Sequence, residues 1–203
     1  MEQTAAPSVI LTPRYFDAAQ YASQAHAQQT RKGKPTPYIS HLLGASASVL
    51  EAGGDEDQAI AALLHDAVED QGGQPRLDDI RVRYGDRIAD IVFACSDSVT
   101  EDPQAKAPWR ERKEHHLAKL RDADSDVVIV TIADKLHNAR AIVADLQVEG
   151  MGTLTRFNTT DPADLLWYYR SMLEVLAERG APAVLVASMS DAVDRMGELI
   201  DAA

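Results

Sequence analysis

The sequence predicts an all-α protein, and three observations carry that prediction. Only 5% of the 203 residues are aromatic, and Ala and Leu dominate the apolar set, a bias toward helix over strand. Apolar residues recur at three- and four-residue steps through most of the chain. Gly- and Pro-containing stretches punctuate those segments at short intervals.

A first helix is expected over 14–28, with Thr12 as its N-cap and Pro13 at its first position. Residues 30–37 hold Gly33, Pro35 and Pro37 and read as a loop. Helix resumes over 41–52 through Leu42, Ala45, Val49 and Leu50, and Gly53-Gly54 stops it. Asp55 then caps a helix running to about Asp70, which Gly72-Gly73 end. Two more helices, 78–84 and 86–96, are divided at Gly85. A loop over 99–108, with Pro103 and Pro108, precedes a strongly charged helix over 109–120. Val127–Val130 alone would pass as a buried strand. Ile132, Leu136, Ala139, Val143 and Leu146 keep helical spacing, however, so 127–146 reads as one long buried helix. After a loop over 150–161, closing helices follow at 162–178 and 182–200, each with a proline in its first turn.

At roughly 150 residues per domain, this length predicts a single domain. Twenty basic against 32 acidic residues give a net charge of −12, which repels nucleic acid. Cys95 is the only cysteine, so neither an internal disulfide nor a thiolate zinc site is expected. No apolar run approaches the ~20 residues of a membrane span, and residues 1–9 lack the pattern of a signal peptide. The expectation is a cytoplasmic protein that binds neither nucleic acid nor membrane. The sequence assigns no oligomeric state.

The chemistry concentrates in Leu63-Leu64-His65-Asp66-Ala67-Val68-Glu69-Asp70. On a continuous helix at ~100° per residue, His65, Glu69, Asp66 and Asp70 fall along an arc of roughly 140° beside an apolar face. Adjacent carboxylates repel and raise one another's pKa, a cost that a divalent cation removes. Imidazole with carboxylate suits Mn, Fe, Zn or Co, and hard oxygens favour Mn. The plainer alternative is the solvated face of an amphipathic helix. Asp134 argues against it, because it follows the largely apolar stretch Val127–Ala133, where an unpaired carboxylate is expensive. His41 is placed either to supply a second imidazole or to sit at the surface at a helix start.

Charge placement adds a further clue. Between Asp17 and Glu51 there is no acidic residue, although the chain average would put about five there. Arg31, Lys32 and Lys34 lie in that stretch, a local positive patch suited to a phosphate-bearing substrate. Trp109–Lys113 would either stack a base and grip phosphates or simply begin a charged helix. His115-His116 are adjacent on one helix and face different directions, so they make a poor metal pair. Cys95 is expected to act as a small buried apolar residue.

An early His, then His-Asp, then a distant Asp resembles the H…HD…D signature of the HD-superfamily metal-dependent phosphohydrolases. Arg31-Lys32, Thr36-Pro37-Tyr38-Ile39-Ser40-His41, Leu63–Asp70, Tyr84-Gly85 and Ala133-Asp134-Lys135-Leu136-His137-Asn138 resemble the hydrolase domain of RelA/SpoT-type proteins over roughly residues 14–175. Two stretches depart from that pattern: His41-Leu42, where the family often has His-Pro, and residues 100–121. The resemblance implies an HD-domain helical bundle across 1–203, ending in the closing helix 182–200. It leaves no room for the synthetase and regulatory domains of full-length members, so a stand-alone small alarmone hydrolase is expected.

The resemblance also implies roles. His41, His65, Asp66 and Asp134 would hold one metal ion, usually Mn²⁺. Glu69 and Asp70 would position and activate the attacking water. Arg31 and Lys32 would lie near the substrate, Asn138 at the nucleotide and Tyr168 near the pyrophosphate end. The expected activity is 3′-pyrophosphohydrolysis of (p)ppGpp, a small-molecule substrate, to GDP or GTP and pyrophosphate. The alternatives are the same fold and metal acting on (p)ppApp, NADPH or a nucleoside 5′-monophosphate, and a non-catalytic nucleotide-binding module.

Overall fold

Side-chain caps set four of the helix starts in the computed structural model, which describes residues 9–96, 108–157, 159 and 161–202. Helix α1 (Pro13–Ala25) begins at Thr12, whose hydroxyl accepts from the Arg14 amide at 3.3 Å. It stops at Ala25, three residues short of the expected end. Residues 30–37 form the expected loop, closed by an isolated bridge between Thr30 and Pro37 and by the Arg31 amide donating to the Thr36 carbonyl at 2.8 Å. Helix α2 (Ile39–Glu51) carries His41 in its first turn. Asp55 and Gln58 make a full capping box for α3 (Glu56–Leu64), each side chain taking the other's backbone N–H at 2.8–2.9 Å.

The expected single helix to Asp70 is interrupted: α3 ends at Leu64, and α4 (Ala67–Asp70) begins only after His65 and Asp66. His65 Nδ1 donates to the Ala62 carbonyl at 2.9 Å, the group that a continuing helix would bond to the Asp66 amide. Helix α5 (Gly73–Tyr84) starts at Gly73, five residues before the expected Asp78, so Gly72-Gly73 separate two helices without a loop between them. Pro75 fits in its first turn, where no intrahelical N–H bond is required. Gly85, at φ 96°, then turns the chain into α6 (Asp86–Cys95).

Helix α7 (Trp109–Leu120) has the expected bounds. The expected loop over 99–108 lies outside the described residues except for Pro108. Helix α8 (Ser125–Glu149) is capped by Asp124, which accepts from the Asp126 and Val127 amides at 3.0 and 3.1 Å. Its 25 residues make a rod about 37 Å long. A 3₁₀ helix, Gly150–Arg156, occupies half of the expected loop after it. Helices α9 (Pro162–Glu178) and α10 (Ala183–Asp201) close the chain, with Asp161 capping α9.

Every described element of regular structure is helical, as composition predicted. Helix α8 is the axis of the bundle, packed by α2, α3, α6, α9 and α10. Its stretch Val127–Asp134 is buried on all sides, as a helix apolar around nearly its whole circumference must be. Leu63, Leu64, Ile132 and Leu136 are fully enclosed at the α3–α8 contact, which brings the end of α3 against the middle of α8. No helix among the described residues is long and apolar enough to cross a membrane.

Candidate active site

Four side chains from three places in the fold converge where α3 breaks. His41 comes from α2, His65 and Asp66 from the break itself, and Asp134 from mid-α8; the two imidazoles and Asp134 are buried. One ligand atom each from His41, His65 and Asp66 lies within 4.8 Å of the others. Asp134 joins them, with Oδ1 3.1 Å from His41 Nε2 and 3.5 Å from His65 Nε2. Asp66 Oδ2 lies 3.0 Å from His65 Nε2 and 3.6 Å from His41 Nε2.

Both Nε2 atoms are buried without a hydrogen-bond partner among the described residues. Because His65 Nδ1 is committed to a carbonyl, the neutral ring presents a bare lone pair at Nε2. Two such nitrogens facing two carboxylates fit a divalent cation.

The electrostatics agree. Burial opposes charge on His65, but the Asp66 and Asp134 carboxylates outweigh it and raise its pKa well above the ordinary value. Burial likewise opposes charge on Asp66, which the His65 charge and the close approach of both imidazoles hold well below the usual range. Asp134 is lowered in the same way against its burial, by Lys135 and His65. A proton and a metal ion would compete for the same lone pair on His65 Nε2.

A layer of polar contacts orients these groups. The Tyr38 hydroxyl donates to Asp66 Oδ2 at 2.6 Å, and its ring stacks on His26 with centroids 5.0 Å apart. Asn138 Nδ2 donates to Asp134 Oδ1 at 2.6 Å, while Asn138 Oδ1 accepts from Arg31 Nη2 at 2.6 Å. The expected nucleotide contact Asn138 thus bridges the basic loop to the acid on α8. Lys135 Nζ lies 2.7 Å from Asp134 Oδ2. His41 Nδ1 and His137 Nδ1 are 3.0 Å apart, and burial, His41 and Arg31 push His137 down to about 4.

Glu69 and Asp70 sit one turn beyond Asp66 on α4. Glu69 lines the main cavity. Asp70 accepts from Gln29 Nε2 at 2.8 Å, and Gln29 is itself held by Gln71 and His26 at 2.6 and 2.7 Å. Asp70 is open to solvent on one side, yet protein packed around its carboxyl and the Asp66 charge raise its pKa. The break between α3 and α4 replaces the single continuous arc, so His65 and Asp66 join the cluster with His41 and Asp134 while Glu69 and Asp70 lie outside it, one turn on.

The cavity beside them has a volume of about 650 Å³. Arg31, Lys32, Lys34, Arg112, Lys113 and Lys135 line it, against the acids Glu69 and Asp145. Lys34 pairs with Asp145, as does Arg156 at 3.5 Å. Trp109, Phe157, Tyr168 and Tyr169 form its aromatic walls. Tyr168 is buried, its hydroxyl has no partner among the described residues, and Lys113 Nζ lies 4.9 Å from its ring centre.

Sequence reasoning left Trp109–Lys113 open between two readings, and the fold turns that end of α7 to the cavity. The signal was the i, i+3, i+4 spacing of Trp109, Arg112 and Lys113, one helical face. Tyr38, Gln29, Lys135 and His137 were not singled out as site residues; three of them lie inside the quoted motifs, and only Gln29 gave no signal. Neither His115 nor His116 joins the cluster of His41, His65 and Asp66. Cys95 is half-buried, with Sγ 3.8 Å from Thr131 Oγ1 and a pKa pushed by burial to about 11.

Comparison with known proteins agrees with this geometry. The family model described as HD domain matches residues 18–154. The guanosine-3′,5′-bis(diphosphate) 3′-pyrophosphohydrolase MESH1 of Drosophila melanogaster is 32% identical over 138 residues, covering 66% of this chain and 70% of that protein. The Aquifex aeolicus guanosine-3′,5′-bis(diphosphate) 3′-pyrophosphohydrolase is 31% identical over 126 residues; the match spans 62% of this chain but 17% of that longer protein. A solved structure of a metazoan ortholog of SpoT that hydrolyzes ppGpp superposes with a TM-score of 0.73 at 26% identity, covering 93% of this chain and 98% of the other. The chain therefore belongs to the HD-domain family, as a homologue of the MESH1 and SpoT/RelA hydrolase domains.

Proposed function

We propose that the protein is a metal-dependent 3′-pyrophosphohydrolase of alarmone nucleotides, converting (p)ppGpp to GDP or GTP and pyrophosphate. The observation that carries this reading is one juxtaposition. Two buried, unpartnered imidazole nitrogens face Asp66 and Asp134 beside a cavity lined with six cationic side chains. His41, His65, Asp66 and Asp134 would hold one divalent ion, with Mn²⁺ the best match to two carboxylates and two imidazoles. Such an ion, when bound, supplies Lewis acidity and lowers the pKa of water.

The protein's own groups do the rest. Glu69 and Asp70 orient the attacking water and take up its proton, Asp70 being made more basic by the burial and the Asp66 charge that raise its pKa. Water attacks the phosphorus bonded to the 3′ oxygen, that P–O bond breaks, and the 3′ oxygen regains a proton as pyrophosphate leaves. Arg31 and Lys32 neutralise charge gathering on the phosphoryl oxygens. Asn138 contacts the nucleotide, and Tyr168 lies near its pyrophosphate end. We read residues 1–203 as one HD domain, because α10 packs on both α8 and α9. The substrate is a small cytoplasmic nucleotide and not a nucleic acid.

A Mn²⁺-supplemented assay across ppGpp, ppApp, NADPH and nucleoside monophosphates tests the proposal. Release of pyrophosphate from ppGpp is expected. Turnover of NADPH or a monophosphate alone would refute the 3′-pyrophosphate assignment, and no turnover with metal bound would favour the silent module.

A further inference from the structure

We propose that His137 is a positioning residue for the metal site: it accepts the Nδ1 proton of His41 and so holds His41 Nε2 as a bare lone pair aimed at Asp134 and Asp66. The inference rests on the metal reading above. His41 Nδ1 and His137 Nδ1 are 3.0 Å apart, with ring centroids 4.9 Å apart and planes inclined at 55°. One proton lies between two nitrogens, so one ring donates and the other accepts. A nitrogen that ligates a cation carries no proton, which leaves Nδ1 as the only place for the proton of a neutral His41. His137 Nδ1 is then the acceptor, and its own proton sits on Nε2. His65 receives the same instruction from the Ala62 carbonyl, 2.9 Å from its Nδ1. His41 finds its acceptor on α8 instead, three residues past Asp134, so one hydrogen bond fixes ligands from two helices relative to each other.

Gly44 makes this contact possible. It lies one turn beyond His41 on α2, and a Cβ there would stand 2.2 Å from Cδ2 and 2.4 Å from Nε2 of His137. Gly44 is not among the glycines of positive φ, and glycine is a weak helix former. The space taken by the His137 ring, and not a backbone requirement, accounts for glycine at this position.

The test measures Mn²⁺ and Zn²⁺ affinity of the full chain for wild type, His137→Phe, His137→Asn and Gly44→Ala, with thermal unfolding of each metal-free protein as the fold control. Asn sets an acceptor oxygen near the place of Nδ1, whereas Phe removes the acceptor. His137→Phe should bind metal about 10–100-fold more weakly, the usual scale for an outer-shell partner, while His137→Asn stays within about threefold of wild type. Gly44→Ala should match His137→Phe, and the double variant should be no weaker than either single one. In the zinc-loaded wild type, ¹⁵N NMR should find His41 protonated at Nδ1 and His137 at Nε2. Wild-type affinity in His137→Phe, equal losses in Phe and Asn, or a His41 proton on Nε2 would each overturn the positioning role alone. A folded wild type that binds no divalent ion overturns the metal reading and this role together.

Discussion

Replacing Arg31 by Ala should weaken every 3′-pyrophosphorylated nucleotide by a similar factor, whatever its base. The guanidinium is held in advance: Nη2 donates to Asn138 Oδ1 at 2.6 Å, and the group lies 5.6 Å from the Tyr38 ring centre, at the cavity wall. Held there, it offers its remaining N–H groups to phosphoryl oxygens with little further loss of side-chain freedom. One charge-assisted contact is worth roughly 1.5–3 kcal/mol, or about 10–150-fold in kcat/KM. Metal affinity should change little, because Asn138 keeps its own 2.6 Å bond to Asp134. Arg31→Lys should fall between the two, restoring the charge without the fork. The assay is kcat/KM for ppGpp and ppApp in wild type and both variants, with metal affinity alongside. If Arg31→Ala loses one substrate and spares the other, Arg31 reads the base and the charge argument is wrong.

Asp66→Ala should lose metal and activity together, whereas Glu69→Gln should retain metal and lose about 10²–10⁴-fold in rate; equal metal loss in both would show the two acids wrongly assigned. The metal-free protein should lose stability in alkali. The raised pKa of His65 contributes stability that is complete below about 6.5 and disappears as pH rises through the folded-state value. The Tm advantage of metal-free wild type over His65→Gln should therefore shrink above about pH 6.5, and an advantage that grew there would contradict the assignment. Tyr168→Phe should leave Tm unchanged within about 2 °C, since the buried hydroxyl has no partner to lose among the described residues. The same variant should lower kcat/KM up to about tenfold if that hydroxyl meets substrate, and a large Tm loss without a kinetic effect would assign Tyr168 to the core alone.

The sequence by itself determined what short-range physics controls. Thr12 and Asp55 as caps, and Pro13 and Pro162 at first turns, act within a few residues, so those helix starts were legible. The full bounds of α7 were legible too. His65-Asp66, Glu69-Asp70 and Asp134 were legible as a candidate site because charge beside an apolar face is costly wherever the chain later goes. Tertiary structure decided the rest. The break at His65-Asp66 cannot be read from periodicity, because His65 takes a backbone carbonyl from the helix while its ring is held between α2 and α8. Gly72-Gly73 read as a terminator but served as a junction, since Gly73 takes the first position of α5. The face of α7 that carries Trp109, Arg112 and Lys113 met the cavity only because α7 lies against α9. The contact between His41 and His137, 96 residues apart in sequence, exists only once α2 and α8 pack with Gly44 between them. Local hydrogen bonding acts over a few residues and leaves a mark in the sequence, whereas these contacts depend on which helix faces meet.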